Sequence, residues 1–283
     1  MSNSVEYTKV DANSETSTKT INYINENASD NDVALFVASL NSLSKDTLTA
    51  INRVEGESVP TVPATATISG GGDSDTNVIN LQSGTGRTSS GRYNVNTGGG
   101  NDSVYNSGEY VLINASIGND TVTNTAQFVS INGGAGDDSI YNTGDNVSIY
   151  GGNGNDSINN TGDNVSIYGG NGDDTVTNTG DNVSIYGGNG NDSIYNTGDN
   201  VSISGGYGNY SIYNSGDNVS IYGGEDKDSV VNYGDNVTVD LTETTAAIDT
   251  VVSYSRNITV IGADDNDVIT YIDETIPANN DDT

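Results

Sequence analysis

The sequence predicts an all-β protein, a parallel β-solenoid wound in 18-residue coils, and three observations carry that prediction. Gly-Gly returns at Gly133, Gly151, Gly169, Gly187, Gly205 and Gly223, 18 residues apart each time and without slippage. A fixed period marks stacked units that bury a core only together. Each period splits into two nonapeptides, one of the form G-G-x-G-x-D-x-U-x (U, a large apolar residue) and one reading N-T-G-D-N-V-S-I-Y. Each nonapeptide ends in alternating polar and apolar residues, as in Ser157-Ile158-Asn159, which is a short strand with its apolar side chain turned inward. Turn plus strand makes half a coil, and successive coils bring like residues about 4.8 Å apart.

The glycine-rich turn carries the chemistry. In GGNGND (Gly151 to Asp156) the glycines reach backbone conformations closed to other residues, so a short loop can turn its carbonyls inward. The Asp at position six adds a hard anionic oxygen. Calcium is the cation that suits many carbonyl and carboxylate oxygens in a flexible cage. Without a cation, stacked position-six carboxylates repel one another by roughly 1 kcal/mol per neighbouring pair even in water. The solenoid is therefore expected to need its metal to fold.

These residues resemble the RTX (haemolysin-type) calcium-binding repeats. The resemblance implies a right-handed parallel β-roll of two short-stranded sheets, with calcium held by main-chain carbonyls of the glycine-rich turns and by position-six Asp side chains. The matching positions are Asp102, Asp120, Asp138, Asp156, Asp174, Asp192 and Asp228, with weaker matches at Asp249 in TTAAIDTVV and Asp267 in GADDNDVIT. The motif keeps register from about Gly71 to Thr270, some two-thirds of the chain. A single GGxGxD would be weak evidence; this many at one spacing is strong. In the family both turns of a coil usually carry the motif, whereas here every second turn is NTGDNV, with Val165 or its equivalent at position six. One calcium ladder along one edge is thus expected, facing a different kind of turn. Tyr210 replaces the Asp in GGYGNYSIY, and Lys227 and Ile248 disturb position five, so calcium is expected to be weak or missing on either side of Tyr210.

Composition narrows the function. Only 32% of residues are hydrophobic, and most sit as Ile and Val at fixed repeat positions, the mark of a thin core. A net charge of −31 speaks against nucleic acid or an anionic membrane as partner unless calcium bridges them. The chain has no Cys, hence no disulfide frame, and no His; with Ser at structural positions, no catalytic constellation stands out and an enzyme is not expected. No run approaches the ~20 apolar residues of a membrane span. The start, MSNSVEYTKVDANS, shows no leader pattern. Extracellular modules bind calcium with dissociation constants of about 10⁻⁴ to 10⁻³ M, so an extracellular or cell-surface location is expected.

In chain order, residues 1–29 read as a polar arm, a tail or a docking strand. Residues 30–54 give the one helical pattern. Val33, Phe36, Val37, Leu40 and Leu43 form an apolar stripe after Ser29 or Asp30 as cap, and Leu48 and Ile51 continue it on a second short helix. This helical cap would cover the N-terminal end of the solenoid. Residues 55–69, with Pro60 and Pro63, read as a linker, and 70–270 as the roll. Its first turn is degenerate, Gln82 to Arg92 form a longer loop carrying an extra residue, and Leu241-Thr242-Glu243 insert three residues. Residues 271–283 form a C-terminal tail.

Further columns follow from the period. Tyr150, Tyr168, Tyr186 and Tyr222 are expected to line one exposed sheet, and Tyr141, Tyr195 and Tyr213 the other. Asn146, Asn164, Asn182, Asn200, Asn218 and Asn236 are expected to form an internal or edge amide ladder, beside a column running from Asp145 to Asp235 that is either solvated or a looser cation edge. The sequence points to a secreted or surface-displayed structural protein, a spacer, adhesin segment or fibre subunit. It would self-associate through its ends, its helix or its Tyr face. Two alternatives stand beside it. The column Thr143, Thr161, Thr179 and Thr197 offers a flat face for a ligand such as ice, and the chain could instead be the repeat part of a larger RTX-like toxin or enzyme, a reading that the cap-like helix at its start makes less attractive.

Overall fold

The structure, a computed structural model, describes residues 94–242, 247–255, 257–263 and 266–272 in full, and otherwise the backbone of strands within 3–10, 16–23, 47–54, 65–69, 78–81 and 92–93. Among these residues all regular structure is β-strand. The chain divides into two units, residues 1–157 and 158–283.

The first unit opens with a three-stranded antiparallel sheet. Asn3–Val10 lies at its centre, flanked by Thr16–Tyr23 and Thr47–Val54. The polar arm is thus largely strand. The expected helix over 30–54 falls mostly outside the described residues, at 30–46. Its last part is corrected, because Leu48 and Ile51 lie on the strand Thr47–Val54. The β-branched residues Thr47, Thr49, Ile51 and Val54 favour an extended backbone there over a helix.

The solenoid begins earlier than the expected linker allowed. Thr65–Ser69 is its first strand and pairs in parallel with Arg92–Asn96. Thr65 faces Arg92 and Val78 faces Ser103, so the first coil exceeds the standard 18 residues by more than the single extra residue expected. From Tyr93 opposite Val111 onward the 18-residue step holds. Two parallel sheets run through this unit. One carries the longer strands, ending with Val111–Ile117, Ser130–Ala135 and Ser148–Asn153. The other carries four-residue strands, among them Ser103–Asn106, Thr121–Asn124 and Ser139–Asn142.

The second unit repeats the pattern. Its long strands run from Ser166–Asn171 through Ser184–Asn189, Ser202–Tyr207, Ser220–Glu225 and Val237–Asp240 to Ile258–Ile261. Its short strands run from Thr175–Asn178 to Val268–Tyr271. The inserted residues appear as a step of 21 between Asp228 and Asp249. Leu241 itself is buried against Gly223, so the surplus falls after it.

Strict alternation builds the core. Ile140, Ile158, Ile194 and Ile212 of the short strands and Ile131, Ile149, Ile167 and Ile203 of the long ones are at most 1% exposed, while the Ser and Tyr beside them turn outward. Backbone pairing continues into the turns, for example Gly136 N–H to the Asn153 carbonyl at 2.8 Å and Thr143 N–H to the Asn124 carbonyl at 2.9 Å. Coils can stack so closely only because the turns lack side chains at key places. Gly152 has φ +128°, and a Cβ there would lie 2.1 Å from the Gly134 carbonyl oxygen. In the other turn the left-handed position is taken by Asn, at φ 57–58° from Asn146 to Asn236, the non-glycine residue that accepts it best. In the two earlier coils it is held by Tyr110 and Phe128, both at φ 60°, with their rings stacked 5.1 Å apart.

Candidate metal centre

Alternation from the core Ile also decides where the position-six carboxylates go. Counting back two from Ile140 puts Asp138 on the inner face, and it is 1% exposed. Asp102, Asp120 and Asp156 are buried likewise in the first unit, and Asp174, Asp192, Asp228 and Asp249 in the second, whereas Asp267 in the last coil is only half-buried. The carboxylates reach one coil back. The Asp102 N–H donates to Asp120 Oδ1 at 2.7 Å, Asp120 N–H to Asp138 Oδ1 at 2.8 Å, and Asp138 N–H to Asp156 Oδ1 at 2.8 Å. In the second unit Asp174 N–H donates to Asp192 Oδ1 at 2.7 Å, Asp228 N–H to Asp249 Oδ1 at 2.8 Å, and Asp249 N–H to Asp267 Oδ1 at 3.0 Å.

The second oxygen is different. Oδ2 of Asp120, Asp138 and Asp192 is buried with no hydrogen-bond partner. A Cβ built on Gly133 would lie 2.3 Å from Asp138 Oδ2 and 2.5 Å from the Gly151 carbonyl oxygen, so both oxygens pack against the bare Cα of Gly133, an approach that only glycine allows. The same pairing recurs at Gly169, with Asp174 Oδ2 at 2.4 Å and the Gly187 carbonyl oxygen at 2.5 Å, and at Gly187, with Asp192 Oδ2 at 2.5 Å and the Gly205 carbonyl oxygen at 2.9 Å. Burial therefore penalises the charged form. It pushes the Asp120 carboxyl up to about 7, helped by the neighbouring Asp138 and Asp102 charges and opposed by the Asp102 N–H. Asp138, Asp156 and Asp192 are pushed up to about 6, again chiefly by burial.

The opposite turn supplies the contrast. Asn178 is fully buried. Its Nδ2 donates to the Gly180 carbonyl and to Asn196 Oδ1, both at 2.8 Å. Its Oδ1 accepts from Asn160 Nδ2 at 2.8 Å and Gly180 N–H at 3.3 Å. Every hydrogen-bonding capacity of the amide is used. The same arrangement links Asn106 to Asn124 and Asn124 to Asn142, and Asn196 to Asn214 and Asn214 to Asn232. The internal amide ladder is therefore built by the Asn that opens NTGDNV, which corrects the internal alternative expected of Asn146 and its equivalents and leaves them the edge. Those are exposed turn residues, and among them Asn236 Nδ2 donates to Asn218 Oδ1 at 3.2 Å. Counting on by two from Ile140 to Asn142 was the signal that could have found the right column.

The outer Asp column is exposed and occupied with backbone. Asp181 N–H donates to Asp163 Oδ1 and Asp199 N–H to Asp181 Oδ1, both at 2.8 Å, and the pattern continues through Asp217 to Asp235. Position five behaves similarly, with Asn191 N–H donating to Asp173 Oδ1 at 2.7 Å and Lys227 N–H to Asn209 Oδ1 at 3.2 Å.

At Gly133 and Gly169 a carboxylate oxygen and a main-chain carbonyl oxygen thus lie beside the same glycine, and hard oxygen donors of this kind are those that suit a cation such as calcium. Among the described residues no three His, Cys, Asp or Glu side chains converge. The carboxylates run in single file, so a cation here would draw most of its ligands from the main chain. Among the described residues no helix is long and apolar enough to cross a membrane. A family described as protein of unknown function (DUF1659) matches residues 4–60, a stretch holding nearly all of the three antiparallel strands and ending before Thr65–Ser69. Among curated proteins and among solved structures, no match to the chain is found.

Proposed function

We propose that this chain is a calcium-stabilised, right-handed β-roll, a structural protein secreted or displayed at a cell surface as a spacer, adhesin segment or fibre subunit. The half-satisfied Asp row carries the proposal. An apolar solenoid closed by amides needs no acid inside, yet the glycine-rich turns bury a row of carboxylates, and at Asp138 one oxygen is bonded while the other has no hydrogen-bond partner and lies with the Gly151 carbonyl oxygen against Gly133. Leaving such an oxygen unpaired costs stability, and a divalent cation removes that cost. The resemblance to RTX repeats favours calcium over other hard cations. Calcium binding at the weak affinity of extracellular modules would keep the roll loose inside a cell and firm outside it. The role is structural rather than catalytic, and the exposed Tyr rows, with Tyr168 and Tyr186 centred 6.2 Å apart, are the contact faces.

Far-ultraviolet circular dichroism and sedimentation during calcium addition from zero to about 10 mM, a range enclosing extracellular affinities, test this. The expected result is a gain of strand signal with calcium and not with magnesium; a jump in mass at the same point would favour the fibre. Full strand signal in chelator, unchanged by calcium, would sink the proposal.

A further inference from the structure

One residue breaks the Asp row from within. Tyr210 stands at position six, is 2% exposed, and points the same way as the carboxylates of the other coils. Its N–H still donates to the next carboxylate, Asp228 Oδ1, at 2.9 Å, so the backbone of the row is undisturbed. Its side chain is not a passive filler. A Cβ on Gly205 would meet the Gly223 carbonyl oxygen at 2.2 Å and the Tyr210 ring at 2.5 Å, which puts the ring where Oδ2 lies in the carboxylate coils. The ring then extends back one coil. A Cβ on Gly187 would find Asp192 Oδ2 at 2.5 Å and Tyr210 Cε1 at 3.0 Å. The phenol ends on the preceding turn, its hydroxyl donating to the Gly188 carbonyl at 2.8 Å.

We infer that Tyr210 is a built-in replacement for a cation. Its ring packs against the glycines of two successive glycine-rich turns, Gly205 and Gly187, and its hydroxyl takes up a carbonyl that would otherwise turn toward an ion. The coils from Gly187 to Tyr213 are therefore closed in the absence of calcium, and the cation row of the second unit is split into a part before Tyr210 and a part after it. Aromatic bulk supplies the packing and one hydrogen bond the satisfaction of the backbone, with no charge buried. This inference rests on the cation reading of the Asp row and deepens it.

The test uses the full chain, its Tyr210→Asp and Tyr210→Phe variants, calcium counted by equilibrium dialysis, and hydrogen exchange in chelator. Tyr210→Asp is expected to bind at least one more calcium per chain than the unaltered protein and to lose exchange protection across residues 187–213 in chelator. Tyr210→Phe is expected to keep the original calcium count. Its exchange over the same coils in chelator should quicken by roughly fivefold, the equilibrium factor of one net hydrogen bond. If the unaltered chain binds calcium and Tyr210→Asp binds no more, the inference is overturned while the cation reading stands. A Tyr210→Asp chain that stays unfolded in saturating calcium, or a Tyr210→Phe chain with unchanged exchange, overturns it as well. If the unaltered chain binds no calcium, the cation reading falls and takes this inference with it.

Discussion

Asp138 and Asn142 lie on one short stretch of chain, and both turn into the interior. The amide of Asn142 donates to the Gly144 carbonyl at 2.8 Å and accepts from Asn124 Nδ2 at 2.7 Å. The carboxylate of Asp138 accepts from the Asp120 N–H and leaves its other oxygen bare. An amide at position 138 would keep the bonded oxygen and offer donors toward the Gly151 carbonyl. Asp138→Asn is therefore expected to raise the urea midpoint in chelator, by about 1 to 2 kcal/mol of unfolding free energy, and to lower it in saturating calcium. A loss of stability in both conditions would mean that the site takes neither amide nor cation. The opposite signs are what separate a ligand from a merely buried acid.

At the scale of the element, the two ladders respond to different challenges. The Asn column is complete without anything added, and Asn178→Ala would strand the Gly180 amide and carbonyl together with two neighbouring side chains. The expected cost is about 3 kcal/mol, since each stranded buried group costs about 1 to 3 kcal/mol and the surroundings relax in part. Equilibrium unfolding should show this loss equally with and without calcium. The Asp column depends on pH instead. Asp120 is pushed up to about 7, and Asp138, Asp156 and Asp192 to about 6, from an ordinary 3.8. A folded-state pKa above the unfolded one means that protonation favours the fold, so this contribution is complete below about pH 4 and is lost as the pH rises through 6 to 7. Cation-free protein should accordingly unfold at lower urea at pH 8 than at pH 5. Saturating calcium should reverse that order, because protons then compete with the metal. A midpoint that climbs with pH in chelator would show that the buried oxygens are already satisfied.

For the molecule as a whole, most of the solenoid was legible because its determinants are local and repeated. The Gly-Gly spacing set the coil, and the Ile and Val positions set the inner face. Asp138 and its equivalents followed from the motif. What escaped the sequence depends on parity across a turn. NTGDNV offers two Asn residues of equal chemistry, and only strict alternation carried past the strand end, then broken by the left-handed Asn146, selects Asn142 as the inner one. The inward ring of Tyr210 was hidden for a related reason, because an aromatic residue at an acid's position gives no hint that glycines of two coils make room for it. Thr47–Val54 misled because Leu48 and Ile51 fit a helical spacing while their β-branched neighbours fit a strand.

The uniform step between partners reaches beyond stability. Inside the second unit the coils from Asn160 to Asn232 bond to one another through the same amide atoms, as Asn160, Asn178, Asn196 and Asn214 do in turn. In this amide ladder a coil is thus interchangeable with its neighbours. A change of length by a multiple of 18 residues would still set every inner Asn of the ladder against an inner Asn and every glycine turn against another. Any other change of length throws both columns out of phase unless the surplus is expelled into a turn, as happened between Asp228 and Asp249. Coil number is then what this architecture leaves free, while the content of each coil is constrained by its neighbours.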